Sequence, residues 1–216
     1  MSTLVLGNDA AWGGWGRCFA SAAGPIRATH VKLSGRRWRW TAMHDELELL
    51  RVSADTLARE RQDSGILMVV EKPPMHYKAA SRGKKANEAV VGYGLGQITA
   101  PLLLGSVAWG WSYPWEVDTA DWRGWWSIGG LRGGRIAYKL AALTVVHRHG
   151  WADHLTPFGW TPEKMRRPAD AVALAEGPCG DVAEAMLIAV GAAMRLDLAP
   201  KGPSNVNERC QRERLP

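Results

Sequence analysis

The amino-acid sequence predicts an α/β fold, and three observations carry that expectation. Strand-like stretches joined by short turns open the chain. The run Ile66-Leu67-Met68-Val69-Val70 is uninterruptedly apolar, as in a strand buried on both faces. Helical periodicities lie between and after these strands.

The first strand is read over residues 3–9 and the second over Gly16-Arg17-Cys18-Phe19-Ala20, behind a glycine-rich turn. Gly24-Pro25 punctuates, and residues 26–33 make a third, so the opening is an antiparallel meander. From about Asp45 to Gln62, Leu47, Leu50, Ala54, Leu57 and Ala58 recur at helical spacing and predict an amphipathic helix covering one sheet face. Asp63-Ser64-Gly65 stops it ahead of the fourth strand, which ends in Glu71. A further helix is expected from about Ala86 into the hundreds, with Gly92 and Gly96 one turn apart on a packing face. Tyr113 to Val117 is the fifth strand, and Asp118 to Trp126 reads as a tryptophan-rich loop. A glycine-rich loop then leads into a helix through Leu140, Leu143, Val146 and His147. Residues 155–180, holding Pro157, Pro162, Pro168 and Pro178, read as a connecting segment with one short helix. The stretch from Gly180 to Val190 is a helix apolar nearly all round. One domain over 1–198 and a flexible tail over 199–216 are expected.

Lys and Arg number 27 against 21 Asp and Glu, giving +6 over 216 residues; this balance admits a polyanionic partner without requiring one. Cys18, Cys179 and Cys210 lack CxxC spacing, which argues against a disulfide framework or zinc ribbon and fits a reducing cytoplasm. No signal-peptide pattern opens the chain. The uncharged passage between Glu88 and Glu116 carries several glycines, Gln97, Pro101 and Pro114, and reads as a buried helix and strand rather than a membrane span. Gly92-Tyr93-Gly94-Leu95-Gly96 is no dinucleotide fingerprint, because the third glycine comes one residue early and no strand precedes it. His147, His149, His154 and Asp153 match no zinc spacing.

The chemistry lies in the carboxylates. Asp9 ends the first strand just before a glycine-rich turn; alone, it reads more readily as a turn-capping residue than as a metal ligand. Glu71 ends a buried strand, where a lone charge needs a salt bridge, solvent or a metal. Asp181 and Glu184, three apart, share one face of the late helix; the helix dipole accounts for one of them more easily than for both. Four carboxylates in one place repel one another unless divalent cations neutralise them, and two Mg²⁺ or Mn²⁺ ions suit phosphodiester hydrolysis. Arg123, Arg132, Arg135 and Lys139 lie along the loop and helix start where phosphate contact is expected, a solvated helix face being the alternative. Arg82, Lys84 and Lys85 belong to a basic loop over 75–88, and Gly35-Arg36-Arg37-Trp38-Arg39-Trp40 interleaves cations with indoles.

In that order, the Leu4–Gly16 strand and turn, Ile66–Glu71, the glycine-containing helix, the Trp122–Lys139 region and Asp181–Ala189 resemble the RuvC-like Holliday junction resolvases of the ribonuclease H-like superfamily over about residues 3–195. The resemblance implies a ribonuclease H-like, five-stranded mixed sheet flanked by helices, a homodimer, and paired nicking of four-way or other branched DNA. It implies Asp9, Glu71, Asp181 and Glu184 as ligands of two Mg²⁺ or Mn²⁺ ions, with Arg123, Arg135 and Lys139 approaching phosphates. It sets Met75, His76 and Tyr77 where a relative wedges a side chain into the junction. The sequence departs from the family at Asn8, where an apolar residue is usual, at Glu184 in place of Asp, and at the Lys72-Pro73-Pro74 turn. Asp170 competes with Asp181 for the third acid, although only Asp181 has a second acid three residues on. The 12 tryptophans and the compact size resemble a phage or viral relative. Two other readings stand beside this one. A phosphotransferase of the actin-like ATPase superfamily needs two repeats, for which the chain has no room, and a DNA-binding module of the same fold that has lost catalysis has little reason to keep all four acids.

Overall fold

In the computed structural model, residues 2–11, 14–32, 40–72 and 99–201 are described. Five strands, β1 (Thr3–Ala11), β2 (Gly14–Ser21), β3 (Gly24–Lys32), β4 (Gly65–Glu71) and β5 (Ser112–Val117), form one sheet in the order β3-β2-β1-β4-β5. β1 pairs antiparallel with β2 and parallel with β4; β2–β3 is antiparallel and β4–β5 parallel. The sheet is therefore mixed, with β1 at its centre.

Strand alternation assigns every side chain of the centre to one of two faces. Leu4, Leu6, Trp15, Phe19, Ile66, Met68 and Val70 pack against α1 (Trp40–Arg61) and the helical residues 99–108, α2, through Leu50, Ala54, Ala58 and Leu102. Val5, Cys18, Ala20, Leu67 and Val69 face the other layer. That layer comprises α3 (Thr119–Trp125), α4 (Gly134–Arg148), α5 (Pro162–Arg166), α6 (Pro168–Glu176) and α7 (Pro178–Ala193). Asp9 and Glu71 continue the second set by two-residue steps, so both belong on the α7 face.

α7 lies against the β1–β2 hairpin because two glycines leave room. A Cβ on Gly7 would stand 2.6 Å from the Ala185 carbonyl oxygen, and one on Gly16 2.3 Å from that of Asp181. Helix backbone thus rests directly on strand backbone, and nearly every residue of α7 is buried.

The chain differs from the sequence reading in two places. Asp118 to Trp126 is not a loop but contains α3, with Trp122 fully buried in the core. Residues 155–180 are not a connector with one helix, for α5 and α6 lie within them and a 3-10 helix spans Ala152–Phe158. Pro162, Pro168 and Pro178 occupy helix starts, where the missing N–H would have no partner anyway. Among the described residues no helix is long and apolar enough to cross a membrane. Gly92 and Gly96, the basic loop with Met75, His76, Tyr77, Arg82, Lys84 and Lys85, the segment 35–39 and residues 202–216 of the tail lie outside the described residues.

Candidate functional site

Register brings the first two acids together. Asn8 pairs with Val70 across the parallel β1–β4 ladder, so Asp9 and Glu71 are the next residues along and stand at the carboxyl ends of adjacent strands. In open α/β sheets that edge is where ligands bind. On the other side Asp9 pairs with Gly16, and Gly16 with His30, so one row crosses three strands. The Asp181 carbonyl sits on Gly16, bringing the first turn of α7 over this row. Asp9, Asp181 and Glu184 are all buried.

The four carboxylates are held differently. Glu71 Oε1 accepts a hydrogen bond from the Thr119 hydroxyl at the start of α3. Asp181 is the best compensated: Lys139 Nζ donates to Oδ1, Arg135 Nη2 is 3.6 Å from the same oxygen, and His30 Nε2 is 3.3 Å from Oδ2. Burial alone would raise its pKa, but His30, Lys139 and Arg135 together hold it below the ordinary aspartate value. Glu184 has Arg123 Nη2 at 3.5 Å and Lys139 Nζ at 3.9 Å; burial outweighs them and, with Glu71 nearby, pushes its carboxyl up to about 7. Asp9 is raised well above the usual range by burial and by the charges of Glu184, Glu71 and Asp181, against which Lys139 works in the opposite direction.

At this site two buried carboxylate oxygens, Asp9 Oδ2 and Glu184 Oε1, lack a hydrogen-bond partner. Orphaned hard oxygens beside further carboxylates are the donor chemistry of Mg²⁺ and Mn²⁺. The residues fit such an ion, although among the described residues no three acidic, histidine or cysteine side chains already converge as a coordination shell. Lys139, 3% exposed, extends among them instead.

The remaining predicted residues fall around this centre. Arg123 on α3 is sandwiched by aromatics, its guanidinium 3.8 Å from the Tyr138 ring centroid and 5.2 Å from that of Trp122. Arg135 is exposed near the start of α4, and Arg132 is exposed just before it. Asp170 sits in the first turn of α6 and pairs with Arg167 at 3.8 Å; it is not among the carboxylates whose charge acts on Asp9, whereas Asp181 is. Asn8, fully buried, points to the α1 face, where Trp15 Nε1 donates to its Oδ1 at 3.0 Å and its own amide donates to the Val69 carbonyl at 3.2 Å. His147 packs against Trp160, and His149 stacks on Trp151.

Two residues of the site escaped the sequence reading. His30 is found only by following hairpin register from Asp9 through Gly16, and Thr119 only once residues 119–125 are known to be helical and to begin beside β4.

Over 90% of this chain and 95% of the other, the structure matches Thermus thermophilus RuvC in complex with a Holliday junction substrate, with a TM-score of 0.50 and 12% identity. A second Thermus thermophilus RuvC structure matches over 91% and 98%, with a TM-score of 0.50 and 14% identity. The fold is RuvC-like. At such identities the RuvC likeness is one of architecture, and it covers the mixed sheet and its flanking helices. No protein-family model and no curated protein sequence matches the chain.

Proposed function

We propose that the chain is a metal-dependent endonuclease that nicks four-way junctions or other branched DNA. The observation that carries this is that Asp9, Glu71, Asp181 and Glu184 lie near enough at the strand-end edge of a RuvC-like fold for their charges to act on one another, with Asp9 Oδ2 and Glu184 Oε1 buried and without a hydrogen-bond partner. A Thermus thermophilus RuvC of the same fold has been seen with a Holliday junction substrate, which supports branched DNA as the partner class.

Asp9, Glu71 and Glu184, with Asp181 beside them, are the residues that would hold Mg²⁺ or Mn²⁺. A divalent ion bound there supplies Lewis-acid and water-activating chemistry for phosphodiester hydrolysis. The chain's own task is orientation: Thr119 fixes Glu71, His30 fixes Asp181, and Gly16 sets the height of α7 above the sheet. Arg123 and Arg135 stand beside the acids as cations able to meet phosphates, and Arg132 is exposed just before α4, with net charge +6 favouring the encounter. A homodimer belongs to the proposal, supported by apolar side chains exposed on α1 and α2, Leu49, Val52, Leu104 and Val107; a monomeric mass in solution would remove it.

The test is a labelled four-way junction incubated with Mg²⁺ or Mn²⁺ beside three-way, flap and linear duplexes. Wild-type protein is expected to nick the branched substrates. Asp9→Asn and Glu71→Gln are expected to lower the rate by about three orders of magnitude, within the range for losing a group engaged at the reacting centre, while binding persists. A second reading, a branched-DNA-binding module without catalysis, draws on the ion pairs that Lys139 and Arg123 already make with the acids. Tight binding with an intact junction across both metals and a range of pH would establish that reading instead.

A further inference from the structure

Lys139 occupies a place made for it. It is 3% exposed and reaches from α4 to Asp181 and to Glu184. Its aliphatic stem passes across Gly180 in the first turn of α7, where a Cβ would stand 3.0 Å from Lys139 Cδ and 2.1 Å from the Ala175 carbonyl oxygen. Gly180 is thus a notch that admits the lysine to the interior. A buried ammonium is costly unless paired, and here two carboxylates pair it.

Charge balance gives this placement a meaning. With all four carboxylates ionised, as binding a divalent ion requires, they face three basic side chains, Lys139, Arg123 and Arg135, and one negative charge is left over. One divalent ion together with one phosphodiester closes that balance; a second divalent ion leaves a surplus of positive charge in a buried site. The acids themselves divide in two. Asp181 is engaged by Lys139, Arg135 and His30, whereas Asp9 keeps a buried oxygen with no hydrogen-bond partner beside Glu71.

We propose that the Lys139 ammonium takes the place of one of the two cations such an acidic centre calls for, so that each chain binds a single tight divalent ion, held by Asp9, Glu71 and Glu184. This rests on the metal-dependent reading above and specifies the number of ions and the role of a residue that reads, from sequence alone, as a phosphate contact. Lys139 is then a positioning and charge-supplying residue set between Asp181 and Glu184.

Counting ions tests it without reference to cleavage. Mn²⁺ titrated into the full-length protein and followed by electron paramagnetic resonance is expected to give one tight ion per chain for wild type, two for Lys139→Met, and none for Asp9→Asn. Two ions on wild type, or one ion on both wild type and Lys139→Met, overturns the inference and leaves metal dependence standing. No ion on wild type overturns both. Should Lys139→Met fail to fold, Lys139→Arg keeps the charge and is expected to keep the count at one; a count of two there overturns the inference, as the wild-type count can by itself.

Discussion

The two faces of the sheet are built on different principles. Against α1 and α2 the strands present large side chains, with Leu4, Leu6, Trp15, Phe19 and Met68 interlocking with Leu50, Ala54 and Leu102. Against α7 they present Gly7 and Gly16, and backbone meets backbone. The first face spreads its tolerance over many flexible contacts, as apolar cores do. At those two glycines the second has no side chain to adjust, so it transmits position. It is this face that carries Asp9 and Glu71 and receives Asp181 and Glu184, and a site whose groups must hold their geometry is served by the layer that cannot slide.

One added methyl is the sharpest way to break that contrast. Gly16→Ala places a Cβ on the Asp181 carbonyl and forces α7 to lift; junction nicking is expected to fall by about 100-fold, the scale of loss that an ångström of misplacement brings. Stability should drop by about 1–3 kcal/mol, as for other overpacked sites, read from a denaturant midpoint. Full activity in a folded Gly16→Ala protein would show that the two layers do not differ in this way.

Removing carbon from the opposite face should do the reverse. Leu50→Ala deletes a side chain only 2% exposed and is expected to cost about 2–5 kcal/mol by chemical denaturation. The folded protein should nick DNA at the wild-type rate. A rate loss as large as that of Gly16→Ala would place α1 in the site's support.

The smallest effect is one of pH. Asp9 is raised well above its ordinary range and Glu184 to about 7, so folded protein holds protons that unfolded chains release from about pH 4.5 upward. The contribution of Glu184 is complete below that point and is lost as pH rises through 7, and that of Asp9 is lost as pH rises through its own raised value. Asp181, shifted downward, contributes in full across this interval and loses its contribution only as pH falls below the ordinary aspartate range. Metal-free protein should therefore melt a few degrees lower at pH 8 than at pH 5, about 2–4 °C for each kcal/mol lost. Excess Mg²⁺ should recover more at pH 8, where the acids are ionised; a metal-free melting point rising over this interval would contradict the burial assigned to the two carboxyls.

The same contrast explains what could be read in advance. β1, β4 and α7 were legible because a continuous apolar run ends abruptly in an acid in β1 and β4 and follows a pair of acids in α7, and that pattern survives without knowledge of neighbours. α3 was hidden because residues 119–125 are short, interrupted by Gly124 and crowded with tryptophan, and only tertiary packing of Trp122 makes them helical. α5 and α6 were hidden because Pro162, Pro168 and Pro178 read as breaks when each begins a helix. His30 depends on register summed across two hairpins. The direction of Lys139 depends on a notch at Gly180 that sequence spacing does not reveal.

The seating of α7 on the first hairpin also has a consequence in time. β1 and β2 end by Ser21, well before the helix that covers them begins at Pro178, and among the described residues that helix is the last long one. Asp9 therefore waits, through the synthesis of all that lies between, for Asp181 and Glu184. A product ending before Pro178 keeps strands β1 to β5 but leaves Gly7 and Gly16 bare and holds only half of the acids, so the centre is completed only when α7 is made.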